Sequence, residues 1–225
     1  MASIIFKSLG VVDYKTTFND MKNRLAKENL TNEIWLLEHP KIFTLGTAAK
    51  KEHIIDPKDI PVFQSDRGGE VTYHGPGQLV IYFLLDFKEL NFGPKTLVAK
   101  LQSFVQSILL EYGISSNLID GAPGVYVQSR KIASIGLRIS RGKTYHGISI
   151  NTDMDLEPFS FINPCGYEGL QVTQIKDFNK NITLSQFDDI LRTIEEILFH
   201  KFEINHVNIQ PEFGKCDDKD VIVQD

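Results

Sequence analysis

Residues 79–85, Leu79-Val80-Ile81-Tyr82-Phe83-Leu84-Leu85, are apolar at every position. A strand wetted on one side alternates apolar with polar, so this run reads as a strand buried within a sheet. The segment feeding it, residues 67 to 78, is glycine-rich and shows neither helical nor strand period. Tyr14, Phe18, Met21 and Leu25 recur at about 3.6-residue spacing, which predicts an amphipathic helix over 13–28 capped by Asp13. Ile34-Trp35-Leu36-Leu37 and Ile42-Phe43-Thr44-Leu45 read as strands around a turn at His39-Pro40. Pro94 suits a first helical residue, and Leu97, Leu101, Phe104, Val105, Ile108, Leu109 and Tyr112 form one stripe, with Gly113 as its left-handed stop.

Strands are expected at 124–127, 132–139 and 144–150. In the second, Ile135, Leu137 and Ile139 alternate with Ser134, Gly136 and Arg138, so one face is buried, and Arg141-Gly142 supplies the turn that follows. Thr183 and Gln186 have capping-box spacing before a last helical stripe, Leu184, Phe187, Leu191, Ile194 and Leu198. From about 209 the chain is polar and acidic, a tail expected to be partly disordered. The expectation is a single α/β domain of α+β type over residues 1–208, a mixed and mostly antiparallel sheet flanked by helices, then the tail 209–225.

With 225 residues, 42 % of them hydrophobic, the core needs no disulfide or metal staple. No apolar run approaches the ~20 residues of a membrane span, and the amino terminus lacks the basic flank and cleavage site of a signal peptide, so a cytoplasmic protein is expected. In that compartment Cys165 and Cys216 read as free thiols. The net charge of −5 predicts no general attraction to nucleic acid. Against that balance, residues 130–143 hold Arg130, Lys131, Arg138, Arg141 and Lys143 and no acid, either a solvated strand pair and turn or a docking patch for an acidic partner. There is no Cys-x-x-Cys and no His-Glu-x-x-His, and the six histidines are scattered, so no metal site is expected.

Two stretches carry chemistry. Arg67 to Gln78 holds four glycines, one proline, one arginine and one histidine, with the spacing of neither a Rossmann nor a Walker fingerprint. It reads as a set of tight turns or as the lining for an uncharged substrate. Pro164-Cys165-Gly166 puts a thiol between two backbone-shaping residues in a loop. A free thiol is only a few per cent ionised near neutrality, so a nucleophilic cysteine needs a base or a nearby cation. His74, His146 and Lys131 are the candidates.

These blocks, taken together, resemble the lipoyl(octanoyl) transferase family. The resemblance rests on Leu36-Leu37-Glu38-His39-Pro40 with Thr44-Leu45-Gly46; on Arg67 to Gln78; on Lys131-Ile132-Ala133-Ser134-Ile135-Gly136 with Gly142 and Thr144-Tyr145-His146-Gly147; and on Asn163-Pro164-Cys165-Gly166 with Val172-Thr173. It implies the fold of the biotin and lipoate protein ligases. It implies Cys165 as the acyl-thioester nucleophile and Lys131 as the lysine that activates the thiol and shuttles protons. The implied substrate lining is Arg67, Gly68, Gly69, Glu70, Val71, Thr72, Tyr73 and His74, then Ser134, Ile135 and Gly136, then Gly147, Ile148 and Ser149. The implied donor is octanoyl-acyl carrier protein. The implied acceptors are lysines on the lipoyl domains of 2-oxoacid dehydrogenase E2 subunits and on the glycine cleavage H protein, with no cofactor, metal, nucleic acid or membrane involved. Phe83 stands where the family usually has proline, a departure expected to touch strand geometry and pocket shape.

The chemistry suits the residues. Moving an acyl group between two thiols is nearly isoenergetic and passing it to an amine is downhill, so no ATP is needed. Backbone N–H groups at Gly75 and Gly166 are candidate oxyanion donors, and the 130–143 patch would meet acidic carrier proteins. Three rivals stay open: an ATP-dependent lipoate or biotin ligase, a Cys–His hydrolase, and an inert binding module on the same scaffold.

Overall fold

The computed structural model describes residues 4–28, 30–87, 93–180 and the backbone of 207–209. The helix expected from Thr183, the tail with its boundary at 209, and Cys216 lie outside the described residues.

The elements run β1 (Ile4–Val11), α1 (Tyr14–Leu25), β2 (Asn32–Glu38), β3 (Ile42–Leu45), β4 (Val62–Gln64), β5 (Val71–His74), β6 (Gln78–Leu84), α2 (Pro94–Glu111), β7 (Asn117–Ile119), β8 (Ala122–Val127), β9 (Arg130–Ser140), β10 (Lys143–Asn151) and β11 (Val207–Ile209). Eight strands form one sheet in the order β11-β1-β2-β6-β10-β9-β8-β7, and β4-β3-β5 form a second. In the large sheet β1 runs parallel to both its neighbours and every other pair is antiparallel. The fold is therefore mixed α/β with a mostly antiparallel main sheet, as the sequence predicts.

The apolar run lies on β6, and both its faces are covered. Leu79, Ile81 and Phe83 join the core under α2, with Leu97, Leu101, Phe104 and Val105. Val80, Tyr82 and Leu84 face the other way, onto Met21 of α1 with Trp35, Leu37 and Tyr145. Each such side chain, fully buried, contributes roughly 1.5–3 kcal/mol. Phe83 is wholly buried on the α2 face, edge-on to Phe104 at 6.4 Å between ring centroids, and is not itself part of the cavity wall.

The helix signals hold in detail. Asp13 accepts from the Thr16 N–H at 2.8 Å, and α1 stops at Leu25, short of the expected 28. Pro94 opens α2, and Gly113 follows its end with φ +72°.

The structure departs from the expectations in four places. The first is an omission: β1 carries no alternation clear enough to announce it, and no strand was expected there. Next, β2 and β3 do not pair around His39-Pro40 but enter different sheets. The His39 ring is buried there, bonding Val12 O at 2.7 Å and the Tyr82 hydroxyl at 2.8 Å, and this anchors the chain as it crosses. The third correction is the strand β5 inside the glycine-rich segment, buried at all four positions. Its polar Thr72 and His74 face a cavity, which erased the usual polar-out pattern. Last, β9 is half-buried on both faces from Ser134 onward. Ile135 and Leu137 edge the α2 core, and all four residues from Ser134 to Leu137 border the cavity.

Candidate active site

Lys131 is the second residue of β9 and pairs with Tyr126 of β8, just before the register shift between Tyr126 and Val125. Its N–H donates to Gln171 O and its carbonyl accepts from Thr173 N–H, each at 2.9 Å. Those two bonds pin the chain that follows Cys165 to the start of the strand. The side chain is 4 % exposed. Nζ donates to Cys165 Sγ at 2.9 Å and lies 5.5 Å from the centroid of the Tyr126 ring. A buried ammonium needs a partner of this kind.

Cys165 is a free thiol. It occupies a short 3-10 turn, Pro164–Gly166, with φ +57°, and Gly166 continues in the left-handed region at +75°. A side chain held there costs on the order of 1 kcal/mol or more. The turn closes through Gly166 N–H to Asn163 O at 3.0 Å and is tied to the next loop by Asn163 N–H to His53 O at 2.7 Å. The Gly166 N–H is thus engaged within the turn, not free as an oxyanion donor. Gly75 is absent from the cavity wall, and the Tyr73 hydroxyl lies 2.3 Å from where its Cβ would be.

Lys131 and Cys165 open onto a cavity of about 470 Å³, within the range of small-molecule sites. Its wall includes Arg67, Gly68, Gly69, Glu70, Val71, Thr72 and His74; Ser134, Ile135 and Gly136; and Gly147, Ile148 and Ser149. Of the residues expected to line it, Tyr73 alone does not. Its ring turns to Phe43 and Phe159 at 5.6 and 5.4 Å, in the core of the second sheet. The structure adds Tyr14, Val80, Tyr82, Val98, Ala122, Pro123, Leu137, His146 and Tyr167 to the wall.

Gly124 was not legible as a site residue, yet it makes the room for Lys131. It has φ +140°, and a Cβ there would lie 2.4 Å from Lys131 Cε and 2.7 Å from Ala133 O. Its carbonyl is held from α2 by Gln102 Nε2 at 3.2 Å. Arg67 is buried and acts as a tether. Its guanidinium donates to Thr44 O and Glu70 O, both at 2.7 Å, and to Gly68 O at 3.0 Å, which fixes the loop against β3. A buried chain of amides joins this loop to the dyad strand. His74 Nδ1 donates to Gln78 Oε1 at 2.7 Å, Gln78 Nε2 to Asn151 Oδ1 at 2.9 Å, and Asn151 Nδ2 to Thr173 O at 2.9 Å.

The histidines do not contact the sulfur among the described residues. His146 sits within β10 with φ +59°. This turns its ring onto the side of its neighbour Tyr145, with which it stacks at 4.7 Å. Its Nε2 donates to Asp66 Oδ1 at 3.0 Å, while Nδ1 is buried with no partner among the described residues. Burial works against the Asp66 charge, but hydrogen bonds from His146, Tyr145 and Lys22 outweigh it and hold the carboxyl well below the usual range. Burial lowers His146 and pushes His74 far below its ordinary value. It also lowers His39 to about 4.

A pH dependence of stability follows. An unfolded histidine takes up a proton near 6.5, and folded His39 only near 4. Between those values the unfolded chain binds the extra proton, so stability falls with pH across that window and is complete above it. The urea midpoint should therefore drop between pH 6.5 and 4.5, and His39→Gln should flatten that drop. An equally steep drop in the variant would put its origin elsewhere.

The basic stretch divides. Arg138 donates to Asp66 O at 3.2 Å, and Lys143 to Leu25 O at 3.0 Å and to Lys27 O, so both brace loops, while Arg141 is exposed. Among the described residues no group of three or more His, Cys, Asp or Glu is placed to hold a metal, and no helix is long and apolar enough to cross a membrane.

The architecture is that of the lipoate and biotin protein ligase-like fold. An archaeal bipartite lipoate protein ligase from Thermoplasma acidophilum superposes with a TM-score of 0.72 at 13% identity, covering 94% of this chain and 89% of that one. A biotin protein ligase from Aquifex aeolicus gives 0.54 at 16%, covering 90% and 70%. At such identities the likeness speaks for the fold alone. The family model described as the lipoyl protein ligase A/B catalytic domain matches residues 17–194. An octanoyltransferase from Chromobacterium violaceum is 50% identical over 191 residues, 83% of this chain and 91% of its own length. One from Dechloromonas aromatica is 52% identical over 181 residues, 80% and 88% respectively. The chain belongs to the lipoyl protein ligase A/B catalytic-domain family and, within it, to the octanoyltransferases. Its chemistry is acyl transfer.

Proposed function

We propose that the enzyme takes an octanoyl group from octanoyl-acyl carrier protein onto Cys165 and delivers it to a lysine of a lipoyl domain, with Lys131 as acid and base. The observation that carries this reading is the 2.9 Å contact between Lys131 Nζ and Cys165 Sγ at the edge of the cavity. An ammonium at that distance stabilises a thiolate. The thiolate attacks the carrier thioester, the carrier's sulfur leaves, and Lys131 gives it a proton. Lys131, now a neutral amine, accepts a proton from the incoming lysine. That amine displaces Cys165, and the thiolate is again paired with an ammonium. The acceptors are lipoyl domains of 2-oxoacid dehydrogenase E2 subunits and the glycine cleavage H protein; the site of action is the cytoplasm; no cofactor takes part.

Gly136 and Ser134 leave space for the chain along β9. A Cβ on Gly136 would meet Arg67 Cδ at 3.1 Å and Gly68 O at 3.3 Å, so even alanine crowds the wall. Gly136→Val is expected to impair octanoyl transfer more than butanoyl transfer, because each methylene buried contributes up to ~0.8 kcal/mol. An unchanged ratio of the two rates would place the acyl chain elsewhere.

The overall reading is tested with two donors. Octanoyl-acyl carrier protein should modify a lipoyl domain without ATP, and free octanoate with ATP should not. Product from the second mixture alone would make the enzyme a ligase. Release of free octanoate from the first, whether or not acceptor is present, would make it a hydrolase.

A further inference from the structure

Acyl transfer to an amine has a proton balance that Lys131 alone does not close. An acceptor lysine arrives as an ammonium and ends as an amide nitrogen, so two protons leave it. The N–C bond forms, the C–S bond breaks, and the sulfur's electron pair returns to Cys165. Lys131, neutral after the first half-reaction, accepts one proton. The other needs a second group beside the turn that carries the sulfur.

Glu70 is the one carboxylate among the described residues that line the cavity. Its Cδ lies 3.3 Å from where a Cβ on Gly166 would be, and His53 Cε1 lies 3.1 Å from the same point, so the two side chains flank the residue next to Cys165. His53 Nδ1 donates to Glu70 Oε2 at 3.2 Å. The main chain holds the pair in place: His53 O accepts from Asn163 N–H of the Cys165 turn, and Glu70 O accepts from Arg67 Nη2 at 2.7 Å. Neither partner is sealed, with side-chain exposures of 15 % for His53 and 24 % for Glu70, so a proton can pass on to water. The reacting end of an acyl thioester carries no positive charge for this carboxylate to meet. The acceptor lysine does.

We infer that Glu70, backed by His53, is the subsite that receives the acceptor's ammonium and takes one of its two protons. The inference rests on the thioester reading above. It makes Glu70 a determinant of the second half-reaction, selective for a cationic nucleophile over a neutral one.

The test loads the full-length enzyme with octanoyl-acyl carrier protein, confirms the Cys165 adduct by intact mass, and chases it with a lipoyl domain or with hydroxylamine, which is uncharged near neutrality. In Glu70→Gln the ratio of lipoyl-domain to hydroxylamine chase rates should fall roughly tenfold to a hundredfold, as expected for loss of a charge-assisted contact. Glu70→Asp should recover part of it. Equal slowing of both chases would give Glu70 a purely structural role and overturn the inference, as would an unchanged ratio. No adduct on the wild-type enzyme would overturn the thioester reading itself, and the inference with it.

Discussion

Lys131→Arg is expected to reduce transfer to the lipoyl domain by roughly 10²–10⁴-fold, the usual contribution of a positioned acid–base group. The substitution keeps a positive charge near Cys165, so some acyl-enzyme should still form. A guanidinium does not release its proton, so it cannot serve the departing thiol or the incoming amine. The longer fork also has no space: the lysine side chain already fills the volume over Gly124 and is 4 % exposed. Lys131→Ala should behave differently, with Cys165 alkylated more slowly by iodoacetamide at neutral pH because the cation beside the thiolate is gone. Stopped-flow acylation with quenched-flow transfer separates the two variants. Full turnover by Lys131→Arg, together with loss of transfer in His74→Ala or His146→Ala, would move the proton chemistry to a histidine.

Gly124→Ala is expected to lower turnover about 100-fold although neither Lys131 nor Cys165 is itself replaced. The added methyl would sit 2.4 Å from Lys131 Cε, 3.1 Å from Nζ and 2.7 Å from the Ala133 carbonyl. The carbonyl is backbone and does not yield, so the lysine must. An error of about 1 Å in such a group costs on that order in rate. The backbone at φ +140° adds strain of ~1–3 kcal/mol, which a thermal melt would report separately. Slow alkylation of Cys165 in a folded Gly124→Ala variant is the signature of a displaced Lys131. Wild-type alkylation and turnover would show that the strand absorbs the methyl.

Much of the fold was readable because its signals are local. The stripes of α1 and α2, the cap at Asp13, the stop at Gly113 and the doubly apolar run on β6 each need only a dozen neighbouring residues. The second sheet was readable only in β3, expected at its observed bounds 42–45. Its strand β5 carries Thr72 and His74 toward a cavity, and a cavity wall does not look like solvent or core in a one-dimensional pattern. Cys165 was legible as a thiol between two backbone-shaping residues, while Lys131 was one of three candidate partners and was singled out by the family resemblance alone. Their contact depends on the bonds from Lys131 to Gln171 and Thr173, which are made across the fold. Gly124, His53, Tyr14 and Tyr82 come from four separate segments. Nothing in their own neighbourhoods marks them, since each matters only through what stands opposite it. The basic stretch takes on a further role in the fold: Arg138 and Lys143 brace loops with their charged ends, while Arg141 is exposed.

The central claim is a covalent octanoyl-enzyme on one sulfur. Mixing the enzyme with excess octanoyl-acyl carrier protein in the absence of acceptor, quenching in acid and mapping the peptides by mass should locate one octanoyl group on Cys165. The same protocol should give none on Cys165→Ala, and adding a lipoyl domain before the quench should move the group to its lysine. An adduct on Cys216, or transfer at the wild-type rate by Cys165→Ala, would contradict it.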